Sequence, residues 1–142
     1  PLSPSNVILS DQHKLFDLYR EMIVQLQNTN PGVQPDCLLD EMWKREEDYT
    51  SLLGHGIALP HVWTDEVERA VLIVGRPKTE VICPLTNSTI EIVFMLVSPS
   101  GKPDEHLRNL AQIAKLVGSD AKRAKLRRAT SAEELYEIIT SL

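Results

Sequence analysis

Gly54-His55-Gly56-Ile57-Ala58-Leu59-Pro60-His61 is where the chain changes period, and its reading decides the fold. The glycines flanking His55 permit a tight turn, and Ile57-Ala58-Leu59 is a short apolar run stopped by Pro60. Proline has no N–H to give a strand ladder, so the spacing predicts a strand that ends there and presents His61 just beyond its end. His55, in a turn between glycines, reads as a polar loop residue that borders a site without acting in it.

Upstream of this stretch the pattern is helical. Over Asp11–Gln27, residues Leu15, Leu18, Tyr19, Met22, Ile23 and Leu26 recur at intervals of three and four and share one helical face. His13 then falls in the first turn as a solvated residue. Asn28 to Pro35 is a punctuated loop, and Pro35 suits the first position of a second helix running to Glu47. That helix is expected to bury Leu38, Leu39, Met42 and Trp43. Arg45 lies beside the stripe near the helix C-terminus, where the dipole favours a cation, so its head is expected to reach a cleft.

Downstream, Val71–Gly75 reads as a strand, Glu80–Cys83 as a weaker one, and Ile90–Val97 as a central strand, apolar on both faces in its second half. After a Pro99–Pro103 loop, Asp104 is placed to cap a helix carrying Leu107, Leu110, Ala111, Ala114, Leu116 and Val117. His106 falls in its first turn. A short basic helix around Ala121–Arg128 follows. Ser131-Ala-Glu-Glu134 is a capping-box pattern that opens a last helix with Leu135, Ile138, Ile139 and Leu142. Helices, then strands, then helices predict an α/β fold, a small mixed β-sheet flanked by helices.

The composition bounds what this fold can do. With 142 residues and 42% hydrophobic content, the chain suits one globular domain over 1–142 with a real core, and leaves no room for a second. No apolar run approaches the roughly 18 to 20 residues of a spanning helix, and no signal-peptide pattern opens the chain, so no direct membrane insertion is expected. The start at Pro1 rather than Met points to processing or to excision from a longer protein. Cys37 and Cys83 form no C-x-x-C pair, which indicates neither a disulfide framework nor a zinc ribbon. Twenty acidic against fifteen basic residues give a net charge of −5, which argues against nucleic acid as a partner. The one basic cluster, Lys122-Arg123 to Arg127-Arg128, is short.

Three residues on three elements are compatible with one cleft: Arg45, His61 and His106. Singly, each has a bland reading, and His106 alone reads as a helix-surface residue. At a helix N-terminus, however, unpaired N–H groups and the dipole welcome a phosphate and disfavour an imidazolium. An arginine fork, a nucleophilic imidazole and a second imidazole at a helix N-terminus are what transient phosphohistidine chemistry requires.

Arg45-Glu46, Thr50 and the run Gly54 to His61 resemble the signature of the fructose/mannitol-type IIA domains of the bacterial sugar phosphotransferase system. In that family an R-E pair precedes a Gly-rich turn and G-I-A-x-P-H, with the arginine sixteen residues before the histidine, as Arg45 stands to His61 here. Ile92-Val-Phe-Met-Leu96, Pro99 and Glu105-His106-Leu107-x-x-Leu110 are similar to the strand and helix bearing the family's second active-site histidine. The closing Ser131–Ile139 segment resembles the nitrogen-regulatory branch. The resemblance covers essentially the whole chain and implies the IIA mannitol/fructose-like phosphotransferase/anion-transport-protein fold. It implies a cytoplasmic phosphotransferase component in which His61 accepts a phosphoryl group from the histidine-containing phosphocarrier protein. His106 would contact or position that group, Arg45 would support the site, and Nε2 would be the phosphorylated nitrogen. A IIB domain or a regulated transporter would be the onward partner, and no metal or organic cofactor would be needed.

The sequence departs from the family in having Thr50-Ser51 where Thr-Gly is common, and Val62-Trp63 where a small residue often follows the histidine. Trp63 is expected to narrow the docking face for a carrier protein. Two other chemistries are weaker. The segment Cys83-Pro-Leu-Thr-Asn-Ser-Thr89 is spaced like a phosphocysteine loop but lacks the glycines and following helix that aim N–H groups at phosphate. His55, His61 and His106 lack zinc-ligand spacing. A second function stays open, a IIA-like regulatory or interaction domain of a membrane transporter in which phosphorylation is optional or absent.

Overall fold

The computed structural model describes residues 2–141. A 3₁₀ turn at Pro4–Asn6 leads into β1 (Val7–Ser10), then α1 (Leu15–Thr29) and α2 (Pro35–Asp48). A run of short strands follows: β2 (Leu52–Gly54), β3 (Ile57–Ala58), β4 (His61–Thr64), β5 (Val71–Pro77), β6 (Val81–Ile82), β7 (Thr89–Ile90) and β8 (Ile92–Pro99). The chain closes with α3 (Pro103–Val117), α4 (Asp120–Arg128) and α5 (Ala132–Thr140). Six strands form a mixed sheet in the order β1-β5-β8-β3-β2, with β4 also paired to β8, while β6 and β7 make a separate two-stranded ribbon. This is the α/β sheet flanked by helices that the sequence predicts.

The sheet separates two apolar layers. Along β8, Val93, Met95 and Val97 pack under α1 and α2, while Ile92 and Phe94 pack under the C-terminal helices. All eight β8 residues are buried, as a strand covered on both faces requires. The α1 stripe from Leu15 to Leu26 is fully buried as its period predicts. It comes so close to β5 that a Cβ on Gly75 would lie 2.6 Å from Met22 Sδ, which is why glycine stands there.

Several expectations are corrected. The first helix starts at Leu15, not Asp11, because Val7–Ser10 is a strand parallel to β5; His13 is therefore an exposed residue of the connection and not part of a helix. Ile90–Val97 is broken at Glu91, where β7 leaves the small ribbon and β8 enters the main sheet. The residue flanking α3 is Lys102, with Pro103 first in the helix and Asp104 inside the first turn, so Asp104 is not the cap. Leu107 is 62% exposed and Ala111 and Ala114 also face out, whereas His106, Ile113 and Val117 are buried. Ser131 does cap α5, its Oγ accepting from the Glu134 N–H at 3.1 Å. Leu142, expected on the last apolar face, lies outside the described residues.

The strand expected to stop at Pro60 pauses and resumes. Ala58 pairs with Val93 and His61 with Leu96, so β4 continues along β8 in the register of β3. Pro60 donates nothing, but its carbonyl accepts from the Leu96 N–H at 3.0 Å and holds the register across the gap. His61 is thus the first residue of a strand, on a rigid element and not a loop. Among the described residues no helix is long and apolar enough to cross a membrane.

Candidate functional site

Strand alternation decides where His61 points. Val62 is buried beneath α1 and α2, so its neighbours His61 and Trp63 project from the opposite face, toward the start of α3. There His106 waits. The His61 and His106 rings have their centroids 5.4 Å apart, and the Trp63 ring also packs on His106 at 4.9 Å.

The break at Pro60 has a chemical consequence at the imidazole. The Leu59 N–H is taken by the Ser51 carbonyl at 2.9 Å, and the Leu59 carbonyl lies 3.0 Å from His61 Nδ1. A carbonyl can only accept, so Nδ1 carries the proton and the lone pair resides on Nε2. A backbone acceptor whose own N–H is anchored on Ser51 holds both the tautomer and the ring orientation.

His106 is buried, 3% exposed, and its Nδ1 lies 2.6 Å from Ser98 Oγ on β8. Burial, then the neighbouring His61, then Arg45 hold its imidazole below the ordinary value of 6.5, so it is neutral near pH 7. Its effect on stability has a definite sign. Above pH 6.5 neither folded nor unfolded His106 binds a proton, whereas below it the unfolded state binds one that the folded state refuses. Stability is therefore expected to fall as pH drops from 6.5, and the fall should be shallower in His106→Ala, as urea titrations across that range would measure.

Arg45, in the last turn of α2, is exposed and lines an open cleft of about 540 Å³ with His61, Pro60, Thr50 and Ser51. The cleft wall is fixed by a residue to which the sequence reading assigned no work. Glu46 is buried, 4% exposed, and accepts from Tyr19 Oη at 2.7 Å, Ser51 Oγ at 2.6 Å and the Ser51 N–H at 2.7 Å. It thereby ties α1, the end of α2 and the chain entering β2 into one corner. Burial, then the Glu46 carboxylate, push the Tyr19 phenol well above its ordinary range, so it stays a donor. Ser51, a departure from the family pattern, contributes two of the three short bonds.

Arg45 and His61 line one cleft, and the His106 ring lies behind His61 at 5.4 Å, so the three are brought together. His55 is not: it sits in the turn at φ 55° and lines a different cavity. The Cys83 thiol is fully buried, with its loop closed by Cys83–Ser88 and Asn87–Cys83 backbone bonds at 2.8 Å, so it presents no phosphocysteine nucleophile. Ser98, Glu46 and Tyr19 are the residues that sequence reasoning missed. The only signal for them was a buried tyrosine and an acid one residue after Arg45.

The site is thus a pair of histidines facing each other at a strand start and a helix start, on a mixed sheet between two helical layers. The chain belongs to the family described as "Phosphoenolpyruvate-dependent sugar phosphotransferase system, EIIA 2", whose model matches residues 4–142. It is similar to the nitrogen regulatory protein of Klebsiella oxytoca, 31% identical over 122 residues that cover 84% of this chain and 75% of that protein. The crystal structure of nitrogen regulatory protein IIA-Ntr from Neisseria meningitidis superposes with a TM-score of 0.86 at 25% identity, covering 98% of this chain and 96% of that one. Enzyme IIA mannitol of Escherichia coli, solved in complex with phosphorylated enzyme IIB mannitol, shares the fold with a TM-score of 0.80 at 18% identity, covering 100% of this chain and 99% of that one.

Proposed function

We propose that His61 accepts a phosphoryl group on Nε2 from the histidine-containing phosphocarrier protein. The observation that carries this is the Nδ1–H bond to the Leu59 carbonyl, which leaves Nε2 as the free nucleophile. As the Nε2–P bond forms, the N–P bond of the carrier breaks and its electron pair returns to the carrier's imidazole. Nδ1 keeps its proton, and the Leu59 carbonyl stabilises the positive character that the ring acquires. Transfer of this kind is governed by positioning and electrostatics, so Arg45 offers a cation to the phosphoryl oxygens across the cleft. His106, held by Ser98, positions the group from the other side. Being neutral, it contacts the phosphoryl without adding a second full charge beside His61.

The onward step goes to a IIB domain or to a regulated target such as a transporter. The similarity to nitrogen regulatory proteins favours a regulatory output over a dedicated sugar relay. In either case the domain works as one unit in the cytoplasm, where the carrier protein is found. The chemistry needs no metal or organic cofactor. Incubation with phosphoenolpyruvate, enzyme I and the carrier protein is expected to add one acid-labile phosphoryl group to the intact mass. Absence of that gain, with the carrier itself phosphorylated, would leave a IIA-shaped docking domain in which phosphorylation has no part.

A further inference from the structure

β4 and β8 run parallel with Trp63 opposite Ser98, so both side chains leave the sheet on one face. It is the face covered by α3, because Val93, Met95 and Val97 of β8 point the other way, under α1 and α2. Both side chains meet one ring there: Trp63 packs on His106 at 4.9 Å, and Ser98 Oγ lies 2.6 Å from His106 Nδ1. Ser98 is 1% exposed and His106 3%, so the polar atoms of this contact must find their partners within the protein.

His106 is neutral near pH 7, so one of its ring nitrogens donates and the other accepts. With the proton on Nδ1, Ser98 Oγ would accept it. The serine's own hydrogen would then be buried with nothing to receive it, because Nδ1 is the only partner of Oγ among the described residues. A buried O–H without an acceptor forfeits its hydration for nothing in return. With Oγ–H donating to Nδ1, both groups are satisfied, and the imidazole proton resides on Nε2. Nε2 is the open end of the ring. It has no partner within the described residues, yet it is not one of their buried unpartnered atoms, which are Asn6 Oδ1 and Arg76 Nε. The little surface that His106 keeps therefore includes this nitrogen.

We propose that Ser98 is a positioning residue for phosphoryl transfer, holding His106 in the tautomer whose Nε2–H donates to an oxygen of the phosphoryl group on His61. This role rests on the reading of His61 as the phosphoacceptor. The two imidazoles have opposite partners at Nδ1: the Leu59 carbonyl accepts from His61, and the Ser98 hydroxyl donates to His106. Their Nε2 atoms are opposite in consequence, a lone pair that attacks phosphorus on one ring and a proton for a phosphoryl oxygen on the other. A second lone pair beside the phosphoryl group would repel its oxygens. A donor instead stabilises the charge they carry, without placing another cation next to His61. The Trp63 ring leaves the His106 imidazole less room to turn away from Ser98.

The first measurement needs no carrier protein: a long-range nitrogen-15 NMR spectrum of the imidazoles of the unphosphorylated chain near pH 7. His106 is expected to carry its proton on Nε2 and to accept at Nδ1, and the Nδ1 signal should move toward that of an unbonded ring nitrogen in Ser98→Ala. A proton on Nδ1 of His106 would overturn the proposal, whether or not the chain takes up a phosphoryl group. The second measurement is the rate of phosphorylation by the phosphorylated carrier. At saturating carrier, Ser98→Ala is expected to be about ten-fold slower, the scale of one lost hydrogen bond. The half-saturating carrier concentration should not change, because Ser98 is buried away from any docking face. In a His106→Ala background the same substitution should have no further effect on the rate. An unchanged rate in Ser98→Ala, or equal slowing with and without His106, would overturn the proposal. A chain that shows the Nε2–H tautomer but takes up no phosphoryl group would overturn the reading of His61 and support the hold of Ser98 on His106.

Discussion

His61→Ala is expected to leave a folded protein that takes up no phosphoryl group from the phosphorylated carrier. The side chain is only half-buried, on an edge strand, and its removal costs the Leu59 contact but no core packing. The fold should therefore survive with a small loss of stability, readable in urea unfolding. The chemistry should not, because among the described residues no other side chain in the cleft offers a neutral nitrogen lone pair aligned by a fixed backbone acceptor. His106→Ala separates the two imidazoles: phosphorylation should persist, slowed by about 100-fold, the scale on which loss of one pre-positioned group acts. Equal and complete loss in both variants would mean that the roles assigned to the two histidines are wrong. Intact mass followed over time for both variants gives the answer.

The largest effect on stability is expected at Glu46→Ala. Its carboxylate receives three bonds of 2.6 to 2.7 Å, from Tyr19 Oη, Ser51 Oγ and the Ser51 N–H. Removing it leaves these donors without an acceptor in a corner that holds Tyr19 at 0% exposure. Bonds to a charged acceptor contribute about 1.5–3 kcal/mol each, and part of that is returned because the desolvation of the carboxylate is no longer paid. The net loss should be about 3 kcal/mol, lowering Tm by roughly 6–12 °C for a domain of this size. Glu46→Gln, which keeps one oxygen for the Ser51 N–H, should recover part of it. Because Ser51 and Thr50 line the His61 cleft, Glu46→Ala should also slow phosphorylation below its unfolding temperature. A variant as stable as the parent would show that the corner is held by packing alone.

The parts of the fold legible in the sequence are those governed by local period. The α1 stripe is continuous, and β8 is apolar on both faces, so their places under one helix and at the sheet centre follow directly. β1 was not legible. Four residues with no alternation, Val7-Ile-Leu-Ser10, become a strand only by parallel pairing with β5, more than sixty residues away in sequence. Pro60 misled for a different reason: the missing N–H ends a ladder in which every residue must donate, but here the carbonyl alone carries the register.

In α3 the apolar residues Leu107 and Ala111 suggested the buried face, yet the helix packs through His106, Leu110, Ile113 and Val117. With His106 counted as a core residue, that stripe has regular spacing of four, three and four. A polar side chain hid it. The same holds at the site. Arg45, His61 and His106 could be read as one set from their spacing and their family likeness. Their supports, the Leu59 carbonyl, Ser98 and the Glu46 corner, could not, because each depends on contacts between distant elements. Trp63, expected to narrow a docking face, packs its ring on His106, a contact between β4 and α3 that no local period announces.

The most direct test of the central claim is a long-range nitrogen-15 NMR spectrum of the imidazoles, recorded before and after phosphorylation by the carrier protein. Before transfer, His61 should show the tautomer with the proton on Nδ1. After transfer, a nitrogen–phosphorus coupling should appear at Nε2 of His61 and at no other ring. A phosphoryl group on Nδ1, on His106 or on any other residue would contradict the account, as would a His61 ring that carries its proton on Nε2.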